Sequence, residues 1–290
     1  MTMTPQEPFV DIHCHLLPGL DDGPATFDAA LSMAERAVSE GIRTIVATPH
    51  QLGSHRHNTG AVVQETASRL QAALDQRGVP LRVLPGGEMR IEPDLIQSLR
   101  AGQTLTLANR RRHVLIELPT DVYLPLDRLL SDLHASGLVA ILAHPERNRG
   151  LQRSPELLRP LVRHGCLLQI TAGSLVGHLG DHARQLAEKL VQQGLVHFVA
   201  TDAHDTHNRP PAFQEAFRRV GELAGQETAL EICCHNPASV AAGGDVVVGV
   251  RQIATKRTNL TFRLFQTFFS ETMVRWPIKQ KHSVEPFLRM

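Results

Sequence analysis

The chain has 290 residues, 42% of them hydrophobic and 20% charged, so it can bury a sizeable core and is not a disordered segment. A net charge of +1 argues against a dedicated nucleic-acid binder, which carries a clear basic excess. No apolar run approaches the ~18 residues of a membrane span, the start has no signal-peptide pattern, and the four cysteines lack zinc-ribbon or redox spacing, which together point to a reducing, cytoplasmic setting.

In chain order, the first predicted strand is "FVDIHCH", residues 9–15. Strand side chains alternate faces, so His13 and His15 point the same way and can grip one metal ion. "DDGP" reads as a turn from which Asp22 can face inward. A helix follows over "TFDAALSMAERAVSEG", with Ala30, Leu31, Ala34, Ala37 and Val38 on one side and Gly41 as its stop. "RTIVATPH" is a strand ending in His50, and "VVQETASRLQAALDQRG" is a second helix. "LRVLPGGE" ends in Glu88 and "HVLIEL" in Glu117. "LDRLLSDLHASG" is helical, and "VAILAHPER" delivers His144 with Arg147 just beyond. "CLLQIT" is a strand with no obvious ligand, whereas "HFVATDAH" ends in Asp202 and His204, followed by Arg209 in "DAHDTHNRPP".

Seven short strands rich in Val, Ile and Leu, separated by helices, predict a parallel α/β fold. Six of the seven deliver an imidazole or carboxylate at the C-terminal end. A closed barrel gathers such ends at one mouth, whereas an open sheet spreads them along an edge. The expectation is therefore a parallel barrel of seven βα units over residues 1–244. A C-terminal extension over 245–290 carries eight Lys or Arg against three Asp or Glu, a net of +5, leaving −4 for the first 244 residues. Phe262, Phe265, Phe269, Met273 and Trp276 fall at helical spacing in it. Such a helix suits packing against the barrel or a second copy, or peripheral contact with a membrane or a partner.

A lone histidine after a strand is ordinarily a surface or hydrogen-bonded residue. His55 and His57, in the polar loop "LGSHRHN", have no preceding strand and read as a decoy near the mouth. The convergent set is His13, His15, Asp22, His50, Glu88, Glu117, His144, Asp202 and His204, more than a single ion needs. Mixed imidazole and carboxylate donors suit Zn²⁺, Mn²⁺ or Fe²⁺ over Mg²⁺ or Ca²⁺. Beside such a mouth, Arg147 and Arg209 are natural forks for phosphate oxygens. There is no Cys-x5-Arg, Walker A loop or GxSxG elbow.

The ordered set "DIHCH…DDGP", "GGE", "LIEL", "AHPER" and "TDAHDTHNRPP" resembles the polymerase-and-histidinol-phosphatase (PHP) family from about Phe9 to Pro237. Within that family it is most similar to the bacterial tyrosine-protein phosphatases of capsule and exopolysaccharide systems. The resemblance implies a distorted, TIM-like (β/α)7 barrel with up to three cations, commonly manganese. It implies His13, His15, Glu88 and Asp202 at the first, Glu88, Glu117 and His144 at the second, and Asp22, His50 and His204 at the third. Arg147 and Arg209 match the phosphate-contacting arginines. The implied partner is a phosphotyrosine-bearing protein, a membrane-linked tyrosine kinase.

The expected reaction is hydrolysis without a phospho-enzyme. Water between two ions has its pKa lowered from roughly 15.7 to about 7, and the resulting hydroxide attacks phosphorus in line. A phenolate, whose conjugate acid has a pKa of about 10, leaves with little help from a general acid. Three alternatives remain at this level: a histidinol phosphatase or other small phosphomonoesterase, a phosphodiesterase or exonuclease, and a non-catalytic binding module.

Overall fold

All seven apolar runs form strands, but two of them are interrupted. In the computed structural model, which describes residues 7–246, the strands are β1 (Phe9–Cys14), β2 (Ile42–Ala47), β3 (His50–Gln51), β4 (Arg82–Pro85), β5 (Glu88–Arg90), β6 (His113–Glu117), β7 (Val139–Ala143), β8 (Leu167–Thr171) and β9 (Phe198–Ala200). The aromatic helix expected near Phe262–Trp276 lies outside the described residues. Thr48–Pro49 separates β2 from β3, and Gly86–Gly87 separates β4 from β5. Proline has no N–H for a ladder. At Gly87 a Cβ would lie 2.0 Å from Gln51 Oε1, so a side chain there collides with the neighbouring strand.

These breaks divide the strands into two sheets, β1-β2-β4 and β3-β5-β6-β7-β8-β9, and every pairing within them is parallel. The protein is thus an α/β fold with parallel sheets. Backbone bonds through the segments between and after the strands bridge the gaps at both margins. Gly86 N–H donates to Ala47 O at 2.9 Å and Glu88 N–H to Pro49 O at 3.2 Å. On the other side, Asp202 N–H donates to His13 O at 2.7 Å and His15 N–H to Ala203 O at 2.9 Å.

Helices begin and end where local chemistry dictates. Thr26 Oγ1 accepts from Ala29 N–H and caps the helix Phe27–Ser39, which buries Ala30, Leu31, Met33, Ala34 and Ala37. Gly41 ends that unit at φ 90°, a left-handed backbone that glycine adopts without a Cβ penalty. Thr59 caps the second helix, Gly60–Gln76, two residues earlier than the apolar pattern predicted. No helix among the described residues is long and apolar enough to cross a membrane. The four cysteines are free and buried.

Two apolar clusters form on the strands. One packs strands against helices and includes Phe9, which stacks on Phe213 at 4.7 Å and meets Phe217 edge-on at 5.2 Å. The other draws Val10, Ile12 and Val46 from the smaller sheet together with Leu115, Ile141, Leu167 and Phe198 from the larger. The second cluster decides where the functional side chains go. Leu115 and Glu117 share a face of β6, as Leu167 and Gln169 share one of β8. The alternation that buries the leucines therefore lifts the polar residues above them.

Candidate metal centre

β1 breaks its own alternation. Val10 and Ile12 join the inner cluster, yet His13 follows them into the polar layer, because the register with β2 shifts between Asp11 and Cys14. Asp11 fixes this irregular end: its carboxylate accepts from His13 N–H at 3.2 Å, from Thr201 N–H at 3.0 Å and from the Thr201 hydroxyl. Burial raises the Asp11 pKa to about 6, against the lowering effect of the bonds from Thr201.

The imidazoles of His13, in β1, and His15, just after it, face one another, with Nε2 atoms 3.3 Å apart. His13 Nε2 lies 3.3 Å from Glu88 Oε1 and 3.3 Å from Asp202 Oδ1. His15 Nε2 lies 3.5 Å from Glu88 Oε2 and 3.5 Å from Asp202 Oδ1. His144 Nε2 approaches Glu88 Oε1 at 3.1 Å and Glu117 Oε1 at 3.8 Å. Asp22 Oδ1 stands 3.2 Å from His204 Nε2 and 3.6 Å from His50 Nε2. His15 and His204 stack with ring centroids 3.9 Å apart. All nine sequence-selected residues thus come together. Their donor atoms form four overlapping groups, each within 4.8 Å: His15, Asp22, His50 and His204; His13, His15 and Glu88; His13, His144 and Asp202; and His50, Glu88 and Glu117.

The backbone is strained at two of these positions. His144 and Asp202 are non-glycine residues in the left-handed region, at φ 32° and 51°. Each follows a strand directly or by one residue, so the strain turns its side chain toward the common centre. Gly23, in the "DDGP" turn, is needed for a different reason. A Cβ there would lie 2.3 Å from the His15 carbonyl oxygen.

The electrostatics show a centre short of positive charge. Burial opposes a charged His13, but Glu88 and Asp202 outweigh it and raise its pKa to about 8. His15 rises to about 10 against the same burial, through Asp21 and Glu88. Glu88 and Asp202 are driven down despite burial by the imidazoles around them, and for Asp202 by Arg147 and Arg209 as well. Asp22 is lowered chiefly by its bond with His204. Protons on these imidazoles therefore balance carboxylates that a divalent cation could balance instead. His50 Nδ1 sharpens the point: it lies 3.1 Å from Glu88 Oε2 yet makes no hydrogen bond.

Arg147 and Arg209 converge on one oxygen. Arg147 Nη1 pairs with Asp202 Oδ2, and Arg209 Nη2 donates to the same atom at 2.6 Å and to Asp202 O at 3.0 Å. Asp202 therefore turns Oδ1 to the imidazoles and Oδ2 to the guanidiniums. Burial works against the Arg147 charge, but Asp202 and the neighbouring carboxylates raise its pKa. A small cavity of about 30 Å³ beside it is lined by Glu117, Thr120, His144, Arg147 and Asn148.

Similarity to known proteins agrees with this arrangement. Residues 9–242 match the family described as capsular polysaccharide synthesis, CpsB/CapC. The chain belongs to the CpsB/CapC family. It is 42% identical over 220 residues to the tyrosine-protein phosphatase YwqE of Bacillus subtilis (strain 168), covering 75% of this chain and 86% of that protein. It is 35% identical over 209 residues to the putative tyrosine-protein phosphatase CapC of Staphylococcus aureus, covering 72% of this chain and 82% of that one. A solved structure from work on YwqE and the CpsB of Streptococcus pneumoniae, described as metal-dependent tyrosine phosphatases, superposes with a TM-score of 0.80 at 37% identity. That likeness covers 85% of this chain and 100% of the solved one.

In this CpsB/CapC chain, three residues that support the centre escaped the sequence reading. Asp21 accepts from the His15 ring at Nδ1 (2.7 Å) and from His50 N–H (2.9 Å), so both aspartates of "DDGP" matter. Gln169, from the strand read as carrying no ligand, holds His13 Nδ1 at 2.8 Å through Oε1. Buried Glu146, inside "HPER", accepts from Thr171 N–H at 2.9 Å and the Ser174 hydroxyl at 2.7 Å, anchoring the turn that carries Arg147. An amide between Leu168 and Ile170 in a fully buried strand was the available signal for Gln169. His55 sits near the mouth as expected, its ring 5.3 Å from that of His50.

Proposed function

We propose that this chain is a metal-dependent phosphatase acting on phosphotyrosine in a protein. The carrying observation is the convergence of nine imidazole and carboxylate residues from six strand ends beside two arginines that share Asp202. The donor set fits divalent cations, because its imidazoles and carboxylates are largely buried and bring their donor atoms within 4.8 Å of one another in groups of three or four. His13, His15, Glu88 and Asp202 would hold one cation, Glu88, Glu117 and His144 a second, and Asp22, His50 and His204 a third. Manganese is the metal we assign, with zinc or iron as competitors for the same donors. When bound, these cations supply Lewis acidity, which lowers the pKa of water and offsets phosphoryl charge.

The protein's own groups do the rest. Asp21 and Gln169 fix the rings of His15 and His13 by holding their Nδ1 atoms, leaving both Nε2 atoms directed into the centre. Arg147 and Arg209 are partly exposed and can turn their free N–H groups to equatorial phosphoryl oxygens. Asp202 aligns the two guanidiniums before substrate arrives. A phenolate leaving group needs little protonation, which suits a site rich in carboxylates.

Family membership and the names of the relatives support a phosphotyrosine protein as substrate. On that basis we assign a membrane-linked tyrosine kinase of a capsule or exopolysaccharide system as the partner, and the cytoplasm as the location. We read the fold as a distorted seven-unit barrel over residues 1–244, with residues 245–290 as an extension. The bonds Asp202–His13 and His15–Ala203, and the apolar cluster common to both sheets, support the barrel.

The test pairs elemental analysis of the purified protein with release of phosphate from a phosphotyrosyl peptide, with and without manganese. Metal-dependent release that exceeds release from histidinol phosphate is expected. A protein that holds no transition metal and releases no phosphate would end this reading.

A further inference from the structure

Next to the small cavity at Arg147 lies a larger groove of about 470 Å³, within the roughly 300–1,000 Å³ range of ligand pockets. Glu117, Leu118 and Thr120 line both, so the groove opens directly from the metal centre. Its walls are the segment after β5, through Ile91, and the segment after β6, through Pro119 and Val122. Val122 is 54% exposed, more open than Val62, the other exposed large hydrophobic side chain among the described residues. Ile91 is partly buried against the core, whereas Val122 stands open at the rim of a charged site, where it has no evident folding role.

The charges of the groove narrow the occupant. Glu92, Glu117 and Asp121 contribute carboxylates against Arg90, whose Nε stands 3.9 Å from Glu117 Oε2. Asp121 is already paired with Arg149 at 2.9 Å. Such a lining repels a polyanion such as a nucleic acid and accepts a chain with a single strong anion held elsewhere. A phosphoryl group seated at His144 and Arg147 leaves the rest of its substrate to run past Glu117 into this groove.

Resting on the phosphatase reading above, we infer that the groove between Ile91 and Pro119–Val122 binds the polypeptide flanking the phosphotyrosine and selects an apolar side chain there. Selectivity thus resides outside the metal cluster, in two surface segments. A hydrophobic contact of this kind discriminates by about 10- to 200-fold per group.

The experiment compares two phosphotyrosyl peptides that differ only in leucine or glycine on either side of the phosphotyrosine, with free phosphotyrosine alongside, all with manganese. The leucine peptide is expected to show kcat/KM at least about tenfold above the glycine peptide. Val122→Asp is expected to reduce that ratio below about twofold. The ratio is internal to each preparation, so partial misfolding of the variant cancels. Equal kcat/KM for the two wild-type peptides, or a ratio unchanged in Val122→Asp, overturns the groove while leaving hydrolysis intact. Failure to hydrolyse any of the substrates overturns the phosphatase reading and the groove together, a pattern separate from the first.

Discussion

His113, Leu115 and Glu117 project from one face of β6, and each belongs to a different regime. Leu115 is fully buried in the inner apolar cluster, where burial alone stabilises the fold. Glu117, one step higher, joins a layer of imidazoles and carboxylates whose burial costs free energy unless a cation compensates it. His113, at the opposite end, is buried beside Arg112, and its Nδ1 has no hydrogen-bond partner. The lower layers hold the molecule together, and the upper layer uses that rigidity to keep like groups at close quarters.

The largest effect that can break this contrast comes from Glu88, which touches His13, His15, His50 and His144. Its replacement by alanine should lower kcat by about 10³-fold or more, since each metal-borne charge interaction is worth several kcal/mol. Bound metal should fall in elemental analysis while circular dichroism keeps the folded spectrum. Near-wild-type turnover would mean the upper layer is not the catalytic one. Leu115→Ala should do the opposite. We expect a loss of about 2–5 kcal/mol in urea unfolding, with turnover per folded molecule little changed. If turnover fell and stability held, the two layers would have been assigned the wrong way round.

His113 sharpens the contrast through pH. Burial, followed by the Arg112 charge, depresses its pKa from 6.5 to about 4, with Asp245 opposing. A histidine with a depressed folded pKa stays neutral while the unfolded chain takes up its proton. Its contribution is therefore complete above pH 6.5 and falls as pH drops from 6.5 towards 4. The loss is at most about 3 kcal/mol. In His113→Gln the stability curve should be flatter across that window, as read from urea midpoints at several pH values. Equal slopes in both proteins would refute it. Asp21→Asn should have the smallest effect, loosening His15 and weakening metal affinity by about 10- to 100-fold, as measured by competition with a chelator. An unchanged affinity would show that the Asp21–His15 bond does not support the centre.

The strand-end pattern made much of the molecule legible. Each apolar run became a strand, and in six of the seven the polar residue at its C-terminal end joined the cluster, because the ends of parallel strands gather on one side of the sheet. The position of both arginines beside the cluster was legible, though their meeting on Asp202 was not. Asp21 was passed over for Asp22 because adjacent carboxylates in a turn look alike until a ring is placed beside one of them. The seven-unit pattern did not show where the ladder divides into two sheets. Pro49 and Gly87 have that effect only because the interrupted strands lie side by side.

From residue order alone came the parallel α/β class and the nine imidazole and carboxylate residues that come together. These rest on local rules: strand alternation, the glycine that ends a helix, and the donor preferences of metals. Tertiary structure alone decided the register shift that turns His13 inward, the support from Gln169, the division of Asp202 between imidazoles and arginines, and the groove beside Glu117. Each of these depends on contacts between segments far apart in the chain. Such contacts exist only once the chain has folded, and local sequence patterns do not encode their geometry.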